Sequence, residues 1–203
     1  MKKLFSFLSL FLFMGFNAYT QWVQIGSDID AEGSADSFGS SISLSSDGNT
    51  VAIGGPSNDG NGPWTQDAGH VRVYRNNNGS WAQLGTEING ESGGDHSGRS
   101  ICLSANGNIV AIGAPKNDAV GSWEGHVRVF EYTGGNWSQI GSDIDGTGFQ
   151  DQLGYTLSMD SSGTIVAVSA RWNDDAGNNA GNITGKTTPE MMPAMMLGMA
   201  PGR

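Results

Sequence analysis

The stretch from Phe38 to Asp59, FGSSISLSSDGNTVAIGGPSND, returns twice: as SGRSICLSANGNIVAIGAPKND from Ser97 to Asp118, and as LGYTLSMDSSGTIVAVSARWND from Leu153 to Asp174. A self-similar period of this size restricts the chain to architectures that stack one supersecondary unit on the next: a propeller, a solenoid or an array. The anchors agree on the spacing. Trp22 to Trp81 is 59 residues and Trp81 to Trp137 is 56, and Gly39, Gly98 and Gly154 give the same pair. From Gly69-His70 to Gly125-His126 the step is already 56, so the three extra residues of the first copy fall in a loop between Asp59 and Gly69.

Composition sets the class of unit. The 203 residues include 32 glycines, placed beside Asn, Asp and Ser at regular intervals, which is how turns between short strands are written. An apolar content of 37% suits a modest β core better than a helical one. The formal charge of -10 argues against nucleic acid or an anionic membrane surface as partner. One cysteine makes no internal disulfide, and Cys102 occupies a strand position where the sister copies have Ser43 and Ser158, so it reads as a tolerated small side chain.

Each copy reads as four short strands. The first alternates with period two, with Ile42 and Leu44, Ile101 and Leu103, and Leu157 and Met159 pointing one way. A turn follows at Asp47-Gly48, Asn106-Gly107 and Ser162-Gly163. The second strand is a compact apolar run, Val51-Ala52-Ile53, Val110-Ala111-Ile112 and Val166-Ala167-Val168, whose small middle residue predicts close packing on both faces. The third is His70 to Tyr74 and His126 to Phe130, with valines expected inward and arginines outward. The fourth is Trp81 to Gly85, matched by Trp22 to Gly26 and Trp137 to Gly141. Four antiparallel strands per repeat, with no helical pattern, predict the blades of an all-β propeller. The tryptophan recurring at one register is expected to pack between blades rather than to present a ligand platform.

Phe38-Gly39 before an apolar strand, Gly113-Ala114-Pro115 after the second strand, and then Gly125-His126-Val127-Arg128-Val129-Phe130 resemble the FG-GAP repeat family, found in the β-propeller of integrin α subunits and in bacterial surface proteins. The resemblance covers residues 22 to about 183, with Gly54-Gly55-Pro56 in the first copy and a drift to Ser169-Ala170-Arg171 in the third. It implies propeller blades used in extracellular binding or adhesion, with a protein or glycan ligand. Many members carry a calcium loop between the first two strands; here that place holds only Ser45-Ser46-Asp47-Gly48-Asn49-Thr50, and a single carboxylate in a hairpin is a turn residue. Calcium is therefore not carried over from the resemblance.

A second acidic set recurs after the fourth strand: Asp28, Asp30, Glu32 and Asp36; Glu87, Glu91 and Asp95; Asp143, Asp145 and Asp151. It reads either as a gathering of divalent-cation ligands or as Asp- and Gly-rich inter-blade turns without metal. No catalytic residues are expected. His70 and His126 are one position in two copies, His96 aligns with Ser37 and Gln152, and no Ser, His and Asp combination stands out. The competing readings are a propeller domain of, or attached to, an extracellular polysaccharide-acting enzyme, for which a carboxylate pair unique to one blade would speak, and a truncated nonfunctional product.

At the N-terminus, Lys2 and Lys3, the apolar segment Leu4 to Phe16, and Ala18-Tyr19-Thr20 form an export signal over residues 1–20, with cleavage before Gln21. The apolar run is shorter than the roughly 20 residues that span a bilayer, so no membrane span is expected and the mature protein is secreted or held at the cell surface. The repeats then occupy 21–183, divided at about 22–80, 81–136 and 137–183. Propellers close with roughly four to eight blades, so about three repeats form an incomplete propeller whose open blade edges invite self-association. The segment 184–203 departs from the pattern, with five methionines from Met191 to Met199 and no period, and reads as a disordered or frameshifted tail. Methionine has the single codon ATG, so Glu190 to Pro193 read from the third base of each codon become Asn or Asp, then Asp, then Ala, the wording of Asn117-Asp118-Ala119. Nucleotide sequence downstream of codon 183 is expected to encode further repeats in a shifted frame; no repeat there removes the frameshift.

Overall fold

A computed structural model describes residues 21–60, 65–118, 122–174 and 180–187. Residues 1–20, read from the sequence as an export signal, and the methionine-rich end, from residue 188 on, lie outside the described residues. The described chain is all-β and built of antiparallel, propeller-type blades. The first contains β1 (Ser41–Leu44), β2 (Thr50–Gly55), β3 (His70–Asn77), β4 (Ser80–Gln83) and β5 (Ile88–Asn89). The second contains β6 (Ser100–Leu103), β7 (Ile109–Ala114), β8 (His126–Thr133), β9 (Asn136–Gln139) and β10 (Ile144–Asp145). The third contains β11 (Leu153–Met159), β12 (Ile165–Ala170) and β13 (Asn182–Thr187).

The registers repeat from blade to blade. Ile42 lies opposite Ile53 and Ile101 opposite Ile112, while Ala52 opposes Val73 and Ala111 opposes Val129. The fourth strand is broken. β4 pairs with the far half of β3, and β5 returns to its start, where His70 meets Asn89 and Val71 meets Ile88. Gly85, at φ +74°, turns the chain at the break, and Gly141 does the same in the second blade at φ +72°.

Each blade leans on the next through a backbone-to-backbone approach that only glycine allows. A Cβ on Gly54 would lie 2.2 Å from the Gly98 carbonyl oxygen, and a Cβ on Gly113 would lie 2.2 Å from that of Gly154. The same two carbonyls accept hydrogen bonds from the Ser41 hydroxyl at 2.6 Å and the Ser100 hydroxyl at 2.7 Å. Above this contact the apolar residues of neighbouring blades interlock. One cluster joins Ala52, Val71 and Val73 to Ile101, Leu103, Val110 and Ile112; the other joins Ile109, Ala111, Val127 and Val129 to Leu153, Val166 and Val168. The tryptophans bridge the outer rim, where Trp81 Nε1–H donates to the Ile25 carbonyl at 3.0 Å and Trp137 Nε1–H to that of Leu84 at 2.7 Å.

Four expectations are corrected. Residues 22–26 form no strand and Trp22 is fully exposed, because no third strand of a preceding blade stands beside them among the described residues. Arg72 and Arg128 point inward, not outward: stacking covers both faces of a blade, so the second face of β3 and β8 is buried as well. The third strand runs on to Asn77 and Thr133, past Tyr74 and Phe130. Finally, the regular chain does not stop at 183, since β13 keeps a six-residue ladder to Thr187 opposite Ile165. Main-chain pairing survives there although Thr184 and Gly185 replace the Arg and Val of the sister strands.

Gly113→Ala is expected to lower stability by about 1–3 kcal/mol through forced separation of two blades. Gly185→Ala, where a Cβ meets nothing within 4 Å, should change it by less than about 0.5 kcal/mol. Urea midpoints of the two variants check this.

Candidate functional site

The hairpin between the first two strands is occupied by its own hydrogen bonds. Asp47 Oδ1 accepts from the Ser45 hydroxyl at 2.6 Å and from the Asn49 amide at 2.9 Å, while Oδ2 accepts from the Asn49 side chain at 3.1 Å. These donors hold the Asp47 carboxyl down at about 2, the Ser45 hydroxyl contributing most. Asn106 and Asp160 play the same part in the other two blades. Both oxygens of Asp47 thus serve the turn.

The recurring acidic set divides into two groups. Asp36, Asp95 and Asp151 are buried, and each accepts a hydrogen bond from the asparagine 22 residues on: Asn58 at 3.2 Å, Asn117 at 3.1 Å and Asn173 at 3.0 Å. The backbone carbonyl of the same aspartate receives the next turn, from Ser57, Lys116 and Trp172 respectively. These three residues are structural clasps, and burial pushes the Asp95 carboxyl up. Glu32, Glu87, Glu91 and Asp143 turn instead toward the buried His70 and His126. Burial, reinforced by the neighbouring arginine, lowers both imidazoles, His126 to about 4. Asp28 accepts from the Gln24 side chain at 2.9 Å, and Asp145 lies in β10, its carboxyl raised by burial and by Asp143.

The copies differ at a set of surface positions beside the strand ends. Ser40 of the first blade becomes Arg99 and then Tyr155; Pro56 becomes Pro115 and then Arg171; Ser57 becomes Lys116 and then Trp172. In the fold the second- and third-blade members of these positions, with His96, Gln152 and Trp123, line one groove of about 400 Å³ where β7 and β12 end and β6 and β11 begin. The cations sit over the rings. The Arg171 guanidinium carbon is 3.9 Å from the Tyr155 ring centre and 4.3 Å from that of Trp172; that of Arg99 is 4.6 Å from Tyr155, and Lys116 Nζ is 5.6 Å from Trp123. Arg99 also donates to the Tyr155 hydroxyl at 3.0 Å, and the Lys116 ammonium donates to His96 Nε2 at 3.1 Å.

Stacking fixes a guanidinium while leaving in-plane N–H groups free to meet a ligand. Among the described residues none of Arg99, Lys116 and Arg171 has a carboxylate within 4.0 Å, and Arg171 Nε is buried without a hydrogen-bond partner. Trp123 and Trp172 each keep 39% of their surface exposed. Three unneutralised cations and two half-open indoles thus share one groove on a chain of charge -10. The sequence reading named none of these residues as a site. The signal that finds them is departure from the repeat at positions the topology brings together.

No family model matches the chain, and no curated protein matches it. Among solved structures it is similar to a protein titled as a 6-phosphogluconolactonase from Bacteroides fragilis NCTC 9343, with 14% identity and a TM-score of 0.44. The match covers 72% of this chain but 38% of that one. A likeness of this grade transfers no activity.

Because its donors favour the ionised Asp47, the carboxylate stabilises the fold above its ordinary value of 3.8, and that contribution is lost as pH falls toward about 2. Asp47→Ala is expected to be less stable than the parent at pH 7, with the difference shrinking between pH 4 and pH 2. Urea midpoints across that range measure it.

Proposed function

We propose that this chain is an exported, non-catalytic binding or surface-adhesion module of FG-GAP-like blades, and that the groove between its second and third blades takes an anionic extracellular glycan. The observation that carries this reading is convergence: positions where the second and third copies depart from the repeat gather into one cationic and aromatic surface. Indole and phenol rings suit the apolar faces of sugar rings, and guanidinium groups suit carboxylate or sulfate substituents. The described lining includes no Asp or Glu, whereas hydrolysis of a glycosidic bond calls for a pair of carboxylates across the cleft. That favours binding over glycoside hydrolysis.

Adhesion also draws on the end faces of the stack. Ile42 and Leu44 on the first blade are 70% and 58% exposed, whereas their equivalents Ile101 and Leu103 are buried against that blade. On the third blade Ile165 and Ile183 are 50% and 76% exposed, whereas their equivalents Ile109 and Val127 lie in the second junction. The two end faces are repeat-equivalents of surfaces that already fit one another within the chain. A second copy stacked head to tail is the occupant they suit.

Arg171→Ala is expected to weaken binding of a polyuronate by about tenfold or more, the loss of one charge-assisted hydrogen bond, while neutral polysaccharide binds weakly to both proteins. Raising salt should weaken the parent's binding as well. Equal affinity for neutral and acidic glycans, measured by calorimetry, contradicts the proposal.

A further inference from the structure

Two clusters, related by the repeat, each aim one imidazole nitrogen and two carboxylates at a common centre. In the first, His70 Nδ1 lies 3.8 Å from Glu87 Oε2, and Glu32 completes the set. In the second, His126 Nδ1 lies 3.8 Å from Asp143 Oδ2 and 3.9 Å from Glu91 Oε2. The candidate ligand atoms of each set fall within 4.8 Å of one another. Both imidazoles are buried, at 0% and 1% exposure, and the Nδ1 of each has no hydrogen-bond partner. An enclosed imidazole nitrogen without a hydrogen-bond partner, facing two carboxylates, can ligate a cation in the tautomer that leaves its lone pair free.

The carboxylates are held from behind. Glu32 Oε1 faces the Arg72 guanidinium at 3.3 Å and Glu91 Oε1 that of Arg128 at 3.3 Å. Glu87 Oε1 accepts from the Asn89 side chain at 3.2 Å, and Asp143 Oδ1 accepts from the Gln139 side chain at 2.6 Å. The arginines are fixed in turn on backbone carbonyls, Arg72 on Asp30 and Arg128 on Asn89. In Glu87, Glu91 and Asp143 one oxygen is thus engaged by a neighbour while the other faces the histidine. This is the outer-shell arrangement that orients metal ligands.

We propose that each cluster is a divalent-cation site of one imidazole and two carboxylates, and that the ion ties the segment entering a blade to that blade's third strand. The donor set selects a borderline ion such as zinc over calcium, which prefers six to eight oxygens. Ligand atoms sharing a tetrahedral zinc, with bonds of about 2.0–2.1 Å, lie about 3.3 Å apart, so Glu87, Glu91 and Asp143 close on the imidazoles by about 0.5 Å, and Glu32, held only within the 4.8 Å bound, by up to about 1.5 Å. Glu91 and Asp143, at 44% and 29% side-chain exposure, have room to do so. With neutral histidine, each cluster plus its arginine carries one net negative charge, which favours the cation. The third blade has Asn182 and Thr147 at the positions of the histidine and the first glutamate, and among the described residues it forms no such cluster.

The test is calorimetric titration of the chelator-treated full chain with zinc chloride, beside calcium chloride, and with cobalt as a spectroscopic substitute. Two zinc ions per chain are expected, with visible cobalt bands showing nitrogen ligation and no comparable calcium binding. His126→Ala should remove one site and the pair His70→Ala with His126→Ala both. Should these variants fail to fold by circular dichroism, Asp143→Asn and Glu87→Gln keep the shape of the clusters and should each weaken one site at least tenfold. Absence of stoichiometric zinc binding overturns the proposal, as does zinc binding that survives the histidine and amide replacements or is matched by calcium.

Discussion

Everything in this fold rests on how near one blade comes to the next. The carbonyl of Gly98 sits where a side chain on Gly54 would begin, and the carbonyl of Gly154 stands in the same relation to Gly113. Gly98 and Gly154 hold φ near +86° to reach that position, a conformation that costs an L side chain strain. Once the backbones touch there, the small Ala52 and Ala111 at mid-strand let neighbouring faces close, and the apolar clusters form between blades rather than inside them. A single four-stranded sheet lacks a partner for either face. The stack supplies both, as in other repeat architectures.

Covering both faces has an electrostatic consequence. Residues that a half-buried strand would hold in water are drawn inside, so Arg72, Arg128, His70 and His126 must find partners within the junction. The arginines meet carboxylates and backbone carbonyls, and Arg72 also lies 4.4 Å over the Phe38 ring. That contact gives a physical role to the aromatic residue preceding Gly39: it caps the buried guanidinium and stands edge-on to His70, the two rings 5.8 Å apart at 89°. The Asp and Asn clasps do comparable work at the other side of each junction. Charge here organises the stack.

Most of the architecture was legible in the sequence, because the copies repeat whatever the stack demands: the glycines, the central alanines, the valines of the third strand, the rim tryptophans. Three things were not. Alternation of side chains places Val71 and Arg72 on opposite faces but does not say that both faces are covered, so the arginine was assigned to solvent. The break between β4 and β5 hides in Gly85, which looks like an ordinary strand end until its φ is known. And the acidic run after the fourth strand reads as one group, whereas the fold sends Asp95 to Asn117 and Glu91 to His126, partners 22 and 35 residues away. The groove lay within reach: aligning Ser40, Arg99 and Tyr155, or Ser57, Lys116 and Trp172, exposes the variation, and only the topology shows that the variable positions meet.

The central claim is that the blades stand or fall together through their junctions. Native-state hydrogen exchange under increasing denaturant tests it most directly. The amides of β2 and β3, of β7 and β8, and of β12 should open with one common free energy and merge into a single global isotherm. Separate isotherms for each blade, with the second blade still protected after the first has opened, would contradict the account and make the blades independent units that merely touch.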